Sequence, residues 1–224
     1  MTAREEHLVE LVDNDGTVVG ATTVAAAHQP PGQLHRAFSV LLVDPAGRVL
    51  LQQRASVKTR FPLRWANSCC GHPEPGQSLR NAANRRLMEE LGVGPVGLTE
   101  VGVHLYFAED PSTGRVEFEY DHVLCAAFAP DQPVSPDPAE VADLRWVDPE
   151  QLRADIVAVP DRYAPWLVGV IERYLQSAPI HSNGAVAADG TVPTDGSGTS
   201  GVPAGAASGS TGLADNAAEP PGGR

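Results

Sequence analysis

The chain is poor in cysteine, in lysine and in long apolar runs. Only three of its 224 residues are cysteines, and two of them, Cys69 and Cys70, are adjacent. Neighbouring residues lie about 3.8 Å apart at Cα, too close for a relaxed disulfide. One further cysteine cannot make a disulfide framework, so a reducing cytoplasm is the expected setting. Lys58 is the single lysine, and 16 basic residues face 28 acidic ones for a net charge of −12. That balance argues against a general nucleic-acid binder, which needs basic surface for phosphates. It leaves room for a small phosphorylated ligand gripped by a few arginines. No apolar run is long enough to span a bilayer. The opening MTAREEHLVE is acidic and lacks the apolar stretch of a signal peptide, so no membrane partner is expected.

What is present is an ordinary globular balance, 42% hydrophobic and 20% charged, enough for one well-buried domain. The composition changes near Ser177. From there to Arg224 there is no aromatic residue and no hydrophobic periodicity, and Gly, Ala, Ser, Thr and Pro dominate. Such a segment cannot bury enough apolar surface to offset its ordering entropy. The expected organisation is a catalytic domain over 1–177 and a disordered tail over 178–224. Within the domain, residues 34–44 and 48–54 read as a hairpin around Asp44-Pro-Ala-Gly47. SLRNAANRRLMEELG (78–92) reads as a helix with Ser78 as N-cap, Gly92 as stop, and Leu79, Ala82, Ala83, Leu87 and Leu91 near one face. Strands follow at 98–107, 116–129 and 144–148, then a helical turn at PEQLRAD and a last helix from about Ala164 to Leu175. The fold class is α/β in the broad sense (α+β), a mixed sheet packed between helices.

Three histidines, His28, His35 and His72, flank strands or turns. In Val116-Glu117-Phe118-Glu119-Tyr120 the two-residue period points Glu117 and Glu119 to one side of a sheet. Two such carboxylates repel unless a cation relieves them, and taken alone the pair reads more readily as a solvated face. Spacing does not assemble the five residues. If they converge, three imidazoles and two carboxylates suit a near-octahedral Mn²⁺ or Mg²⁺ better than tetrahedral Zn²⁺, which remains a third candidate. For Cys69-Cys70 four readings stand at this point: redox pair, metal ligands, packing, or an acid/base or nucleophile.

Residues 71–93 match the spacing of the Nudix box, Gly-x5-Glu-x7-Arg-Glu-apolar-x-Glu-Glu-x-Gly-apolar. Gly71, Arg85, Leu87, Glu89, Glu90, Gly92 and Val93 fit; Gln77 and Arg86 stand where two of its glutamates belong. A Nudix-like fold is expected, and with one carboxylate neutral and another reversed in sign, hydrolysis is not the leading activity; a divergent Nudix hydrolase is the runner-up.

NSCCGHP, AAAHQPPGQLHRAF, RRLMEELGV, VEFEYDHV and APWLV occur in the order and approximate spacing of the type I isopentenyl-diphosphate isomerases, which the chain resembles over about residues 5–175. The resemblance implies a metal site of His28, His35, His72, Glu117 and Glu119. It also implies a catalytic cysteine at Cys70, with Cys69 a neighbour, and a catalytic acid/base at Glu119, linked to Tyr106. Glu90 would help to hold Mg²⁺ at the substrate diphosphate. Arg54, Lys58 and Arg86 would be the cationic contacts to that diphosphate, and Tyr106 and Trp166 the aromatic lining. One departure is Val24, which occupies the place of a lysine common in the family. The implied partner is an isoprenoid diphosphate, with a monomer as the expected state. The implied reaction moves a double bond by adding a proton at C4 and removing one at C2 of isopentenyl diphosphate. Its intermediate is carbocation-like, so the pocket must exclude water, and an indole face such as Trp166 can stabilise positive charge without attacking it. A thiol beside cationic groups is expected to ionise readily. In the family the Glu/Tyr side is paired with proton delivery and Cys70 with proton removal.

Overall fold

A computed structural model describes residues 3–177; the tail expected at 178–224 lies outside them. In chain order the elements are a 3-10 turn at Ala3–Glu6, β1 (Leu8–Val12), β2 (Val18–Thr23), α1 (Val24–Ala27), β3 (His35–Val43), β4 (Val49–Arg54), β5 (Trp65–Ala66), β6 (Cys69–Gly71), α2 (Leu79–Leu91), β7 (Thr99–Glu109), β8 (Val116–Ala127), β9 (Val141–Val147), α3 (Pro149–Ala158) and α4 (Leu167–Ser177). The nine strands among the described residues form one mixed sheet. None of the described helices is long and apolar enough to cross a membrane.

Strand β3 is the hub. It runs parallel to β8 over nine residue pairs, from His35↔Glu119 to Val43↔Ala127. Alternation along both strands divides the core. Phe38, Val40, Leu42 and Leu124 face α2, where Ala82, Ala83, Leu87 and Leu91 cover them. Leu41, Val123 and Cys125 face the other way, against Leu152 of α3 and Leu167, Val170 and Ile171 of α4. This is the sandwich expected from the pattern. Helix α2 begins where Ser78 Oγ accepts a hydrogen bond from Asn81 N at 3.2 Å and ends at Gly92 with φ +66°, a left-handed cap that glycine adopts without a Cβ penalty.

The hairpin of β3 and β4 is not zipped. Its strands pair at Val43↔Val49 and then part. The gap is filled by a later segment: Trp65–Ala66 pairs with β4 and Cys69–Gly71 with β3. Asn67 and Ser68 cross between them, both fully buried. Ser68 Oγ accepts from Leu42 N at 2.8 Å and donates to Leu50 O at 2.6 Å. One hydroxyl thus satisfies two backbone groups that the separated strands leave open. The short strands β1, β2, β5 and β6 had no expectation attached to them; two to six residues carry too little periodicity to read.

Removing the Ser68 hydroxyl leaves a buried donor and a buried acceptor unpaired. Ser68→Ala is therefore expected to cost about 1–3 kcal/mol, more than the ~1 kcal/mol of losing the exposed Ser78 cap in Ser78→Ala. Urea unfolding followed by circular dichroism compares the two, and the reverse order would show that the bridge does not hold the gap.

Candidate active site

The fold brings the three histidines together. His28 caps α1, and its Nδ1–H donates to Val24 O at 2.7 Å, which turns Nε2 inward. His35 opens β3 and donates from Nδ1 to Gln33 O at 2.7 Å. His72 follows β6. The ring centroids lie 4.6, 5.3 and 4.9 Å apart. Glu119 Oε1 sits among the three Nε2 atoms, at 2.9 Å from His72, 3.6 Å from His35 and 3.9 Å from His28. One ligand atom from each of these four residues lies within 4.8 Å of every other. Glu117 stands beside this group rather than inside it. Its Oε2 is 2.8 Å from His28 Nε2 and its Oε1 accepts from Arg60 Nε at 3.0 Å. The solvated-face reading of the two glutamates is overturned, since both are buried.

Protonation follows from this packing. Burial works against a charged His28, but the Glu117 carboxylate outweighs it and raises His28 to about 9. Burial dominates at His72, aided by the two neighbouring imidazoles, and depresses it to about 4, so that it is neutral near pH 7. Glu119 is desolvated too, yet the imidazoles of His28, His35 and His72 hold it well below the usual carboxylate range. Two steps along the same face of β8, Asp121 is fully buried and pushed well above that range, by burial first and then by the charge of Glu119. A divalent cation fits this donor set. Four ligand atoms converge, two imidazole tautomers are fixed by backbone carbonyls, and buried His35 Nε2 has no hydrogen-bond partner.

Of the remaining predicted residues, Arg54, Lys58, Cys70, Arg86, Tyr106 and Trp166 line a cavity of about 520 Å³ beside the cluster, and Glu90 is buried behind it on α2. Tyr106 on β7 donates its hydroxyl to Glu119 Oε2 at 2.7 Å, and its ring lies 6.0 Å from that of Trp166. Trp166 sits one residue before α4 rather than inside the expected helix. Cys70 faces the cavity, whereas Cys69 faces α2 on the other side of the sheet, and the two are not joined in a disulfide. Of the four readings, packing suits Cys69 and an acid/base role suits the position of Cys70. The expectation of an easily ionised Cys70 is reversed. Burial and the nearby Asp121 push its thiol up to about 12, against the pull of Arg54 and of the neighbouring Ser39 hydroxyl.

The cations gather at the α2 side of the cavity. Arg54 is held by the carbonyls of Arg60 and Phe61 and lies 5.4 Å over the Trp166 ring. Lys58 pairs with Glu140 and comes within 4.0 Å of Glu90. Arg86 pairs with Glu90, and with Glu89 at 2.6 Å. Gln52 Nε2 donates to the second oxygen of Glu90 at 2.8 Å. Val24 lines the same cavity with no charge to offer, while Arg4 reaches it and meets Glu140 at 2.9 Å.

Sequence reasoning missed Arg60, Asn67, Asp121 and Glu140. Arg60 lies between Glu117 and Glu5, whose Oε1 accepts from Nη1 at 2.9 Å. Its loop carries positive φ at Phe61 (45°) and Leu63 (62°), strain that marks functional loops. Asp121 was legible as the third member of the Glu-x-Glu-x-Asp alternation. Nothing local marks Glu140.

The chain matches the NUDIX domain family over residues 33–167. It is 64% identical over 164 residues to the isopentenyl-diphosphate Delta-isomerase of Nocardia farcinica, covering 73% of this chain and 92% of that one. The chain belongs to the isopentenyl-diphosphate Delta-isomerase family. The isopentenyl-diphosphate Delta-isomerase of Streptomyces coelicolor is 45% identical to it (75% of this chain, 83% of that one), and that of Halorhodospira halophila 43% (78% and 96%). Among solved structures, a Deinococcus radiodurans protein superposes with a TM-score of 0.60 at 21% identity, covering 75% of this chain and 98% of that one. A MutT protein from Methanosarcina mazei superposes with 0.51 at 17%, covering 65% and 95%. These two bear on the fold alone. Membership in the isomerase family accounts for a NUDIX fold that carries Gln77 just before α2 and Arg86 within it in place of two carboxylates.

Excess Mn²⁺ is expected to raise the thermal midpoint by several degrees, since a ligand at a hundred times its Kd adds about 2.7 kcal/mol; chelator should reverse the gain, and His35→Gln should abolish it. An equal rise in that variant would put the ion elsewhere. The raised His28 stabilises the fold fully below pH 6.5 and loses that contribution as pH rises through about 9. Without metal, the stability difference between wild type and His28→Gln should therefore shrink across that window, and a flat difference would remove the His28–Glu117 pair as its source.

Proposed function

We propose that this protein interconverts isopentenyl and dimethylallyl diphosphate by protonating the alkene at C4 and deprotonating C2. The observation that carries the reading is the pairing of two proton-bearing groups across one cavity. The Cys70 thiol lies on one side, and on the other the Tyr106 hydroxyl is hydrogen-bonded to Glu119 at 2.7 Å. Family membership supports it.

The proton enters C4 of the CH₂ end from the Tyr106–Glu119 side, leaving positive charge at C3. Cys70, acting as the thiolate after its own proton has left to solvent, then takes the proton from C2 as the new double bond forms. The Tyr106–Glu119 side regains a proton from solvent before the next turnover, so atoms and charge balance over the cycle. The Trp166 face, its ring 6.0 Å from Tyr106, borders the space where the charge develops. His28, His35, His72 and Glu119, with Glu117 adjoining, would hold the divalent cation, Mn²⁺ or Mg²⁺ rather than Zn²⁺. When bound, that ion would supply positive charge that fixes and tunes Glu119. Arg54, Lys58 and Arg86 would grip the diphosphate, and Glu90 would share its Mg²⁺. Lys58 and Arg86 are paired with Glu140, Glu90 and Glu89, so diphosphate binding would exchange carboxylate partners for phosphate. Arg86 at a hydrolase glutamate position favours keeping the diphosphate whole. The domain over 1–177 carries the chemistry and the segment 178–224 does not.

Incubation with isopentenyl diphosphate and Mg²⁺ should yield dimethylallyl diphosphate, and a chelator should stop it. Release of phosphate without that product would support a hydrolase instead. Cys70→Ala and Glu119→Gln should each lower kcat by a factor on the order of 10³ or more with the circular dichroism spectrum retained. Deleting 178–224 should leave kcat and KM unchanged, and a large drop would assign the tail a part in closing the pocket.

A further inference from the structure

Asn67 is fully buried in the crossing segment between β5 and β6. Its amide is saturated. Nδ2 donates to Cys69 O at 2.7 Å and to Val40 O at 3.2 Å. Oδ1 accepts from the Cys70 thiol at 3.1 Å and from Trp166 Nε1 at 3.0 Å. An asparagine amide offers two N–H bonds and two oxygen lone pairs, and here all four are used. The orientation is therefore fixed: a flipped amide would set oxygen against two carbonyls and its NH₂ against the indole N–H, which only donates.

We propose that Asn67 is a positioning residue for the isomerisation, holding the Cys70 thiol and the Trp166 indole on one oxygen so that the two walls of the cavity share one geometry. This rests on the isomerase reading given above. An oxygen that only accepts makes Cys70 the donor, which fixes the S–H direction. Ser39 Oγ, its proton committed to Asp121 Oδ2 at 2.8 Å, is a longer second neighbour of the sulfur at 3.7 Å. The indole is fixed by the same oxygen, with the Phe61 ring edge-on at 5.5 Å and Arg54 5.4 Å over its face. Because the anchoring carbonyls belong to β3 (Val40) and β6 (Cys69), the amide also ties both walls to the sheet. Tyr106 and Glu119, on β7 and β8, are set independently of it. Loss of Asn67 should thus disturb the thiol and indole together and leave the Tyr106–Glu119 pair in place.

The test uses the full chain carrying ¹⁵N-labelled tryptophan. Asn67→Ala should lower kcat by roughly 10–100-fold, the scale of a misplacement of about 1 Å, with KM changed less than about threefold. The Trp166 indole N–H resonance, assigned by its disappearance in Trp166→Phe, should move upfield. Iodoacetamide alkylation of Cys70, followed by peptide mass spectrometry, should change severalfold. Trp166→Phe, which leaves Asn67 intact, should also change the alkylation rate, because one of the two donors on the shared oxygen is gone. A folded Asn67→Ala protein with an unmoved indole resonance overturns the proposal. So does an alkylation rate in Trp166→Phe equal to wild type, and this arm decides the matter if Asn67→Ala fails to fold. Wild-type protein that makes no dimethylallyl diphosphate refutes the isomerase reading instead, while the indole and thiol measurements still report on the shared oxygen.

Discussion

Three carboxylates on one face of one strand must be buried together, and the architecture of the site is a response to that electrostatic demand. Glu117, Glu119 and Asp121 alternate along β8 and all lie inside the protein. Each is accommodated differently. Glu117 has a permanent cation, Arg60, and a protonated imidazole, His28. Glu119 is surrounded by three imidazoles and a tyrosine hydroxyl. Asp121 has only the Ser39 hydroxyl on one oxygen, and burial beside two negative neighbours pushes its carboxyl well above the usual carboxylate range. An uncompensated buried charge costs several kcal/mol, which explains why Arg60, with its own second partner Glu5, reaches in from a strained loop. The N-terminal turn is thereby bound to the centre through Glu5.

The second constraint is the parting of β3 and β4. A hairpin that separates leaves backbone groups unpaired, and polar side chains of the inserted segment substitute for the missing ladder. Ser68 serves the two strands, Gln52 reaches Ser68 O at 2.9 Å and Glu90 at 2.8 Å, and Asn67 serves β3 and β6. Two of these residues also hold groups of the site: Gln52 bonds Glu90, and Asn67 bonds Cys70 and Trp166. Stability and geometry are joined here, because a side chain with every hydrogen bond satisfied has nowhere else to go.

Much of this could be read from the sequence. Helix α2 announced itself through period, cap and stop, and β3 and β8 through alternation. The histidines and glutamates were identified through a family resemblance, since their spacing carries no geometry of its own; the parallel pairing of β3 and β8 sets His35 beside Glu119, while His28 comes from the end of α1 and His72 from the end of β6. The reading failed where meaning is non-local. Glu140 meets Lys58 from 82 residues away, and Arg60 meets Glu117 from 57. Asn67 drew no reading because its four partners lie in three different parts of the chain. The expected reactive thiol went wrong for a related reason. Cationic neighbours were visible in the sequence, whereas the burial and the Asp121 carboxylate that outweigh them were not.

The opposite orientation of Cys69 and Cys70 has a consequence for chemical damage. An oxidant entering the cavity meets the Cys70 sulfur, while the adjacent cysteine points through the sheet toward α2. A sulfenic acid formed there cannot be resolved into a disulfide by its sequence neighbour, so its rescue falls to a thiol approaching by the route the substrate uses. What looks in one dimension like a redox couple is, in three, two thiols separated by a strand, and substrate in the cavity would shield the exposed one.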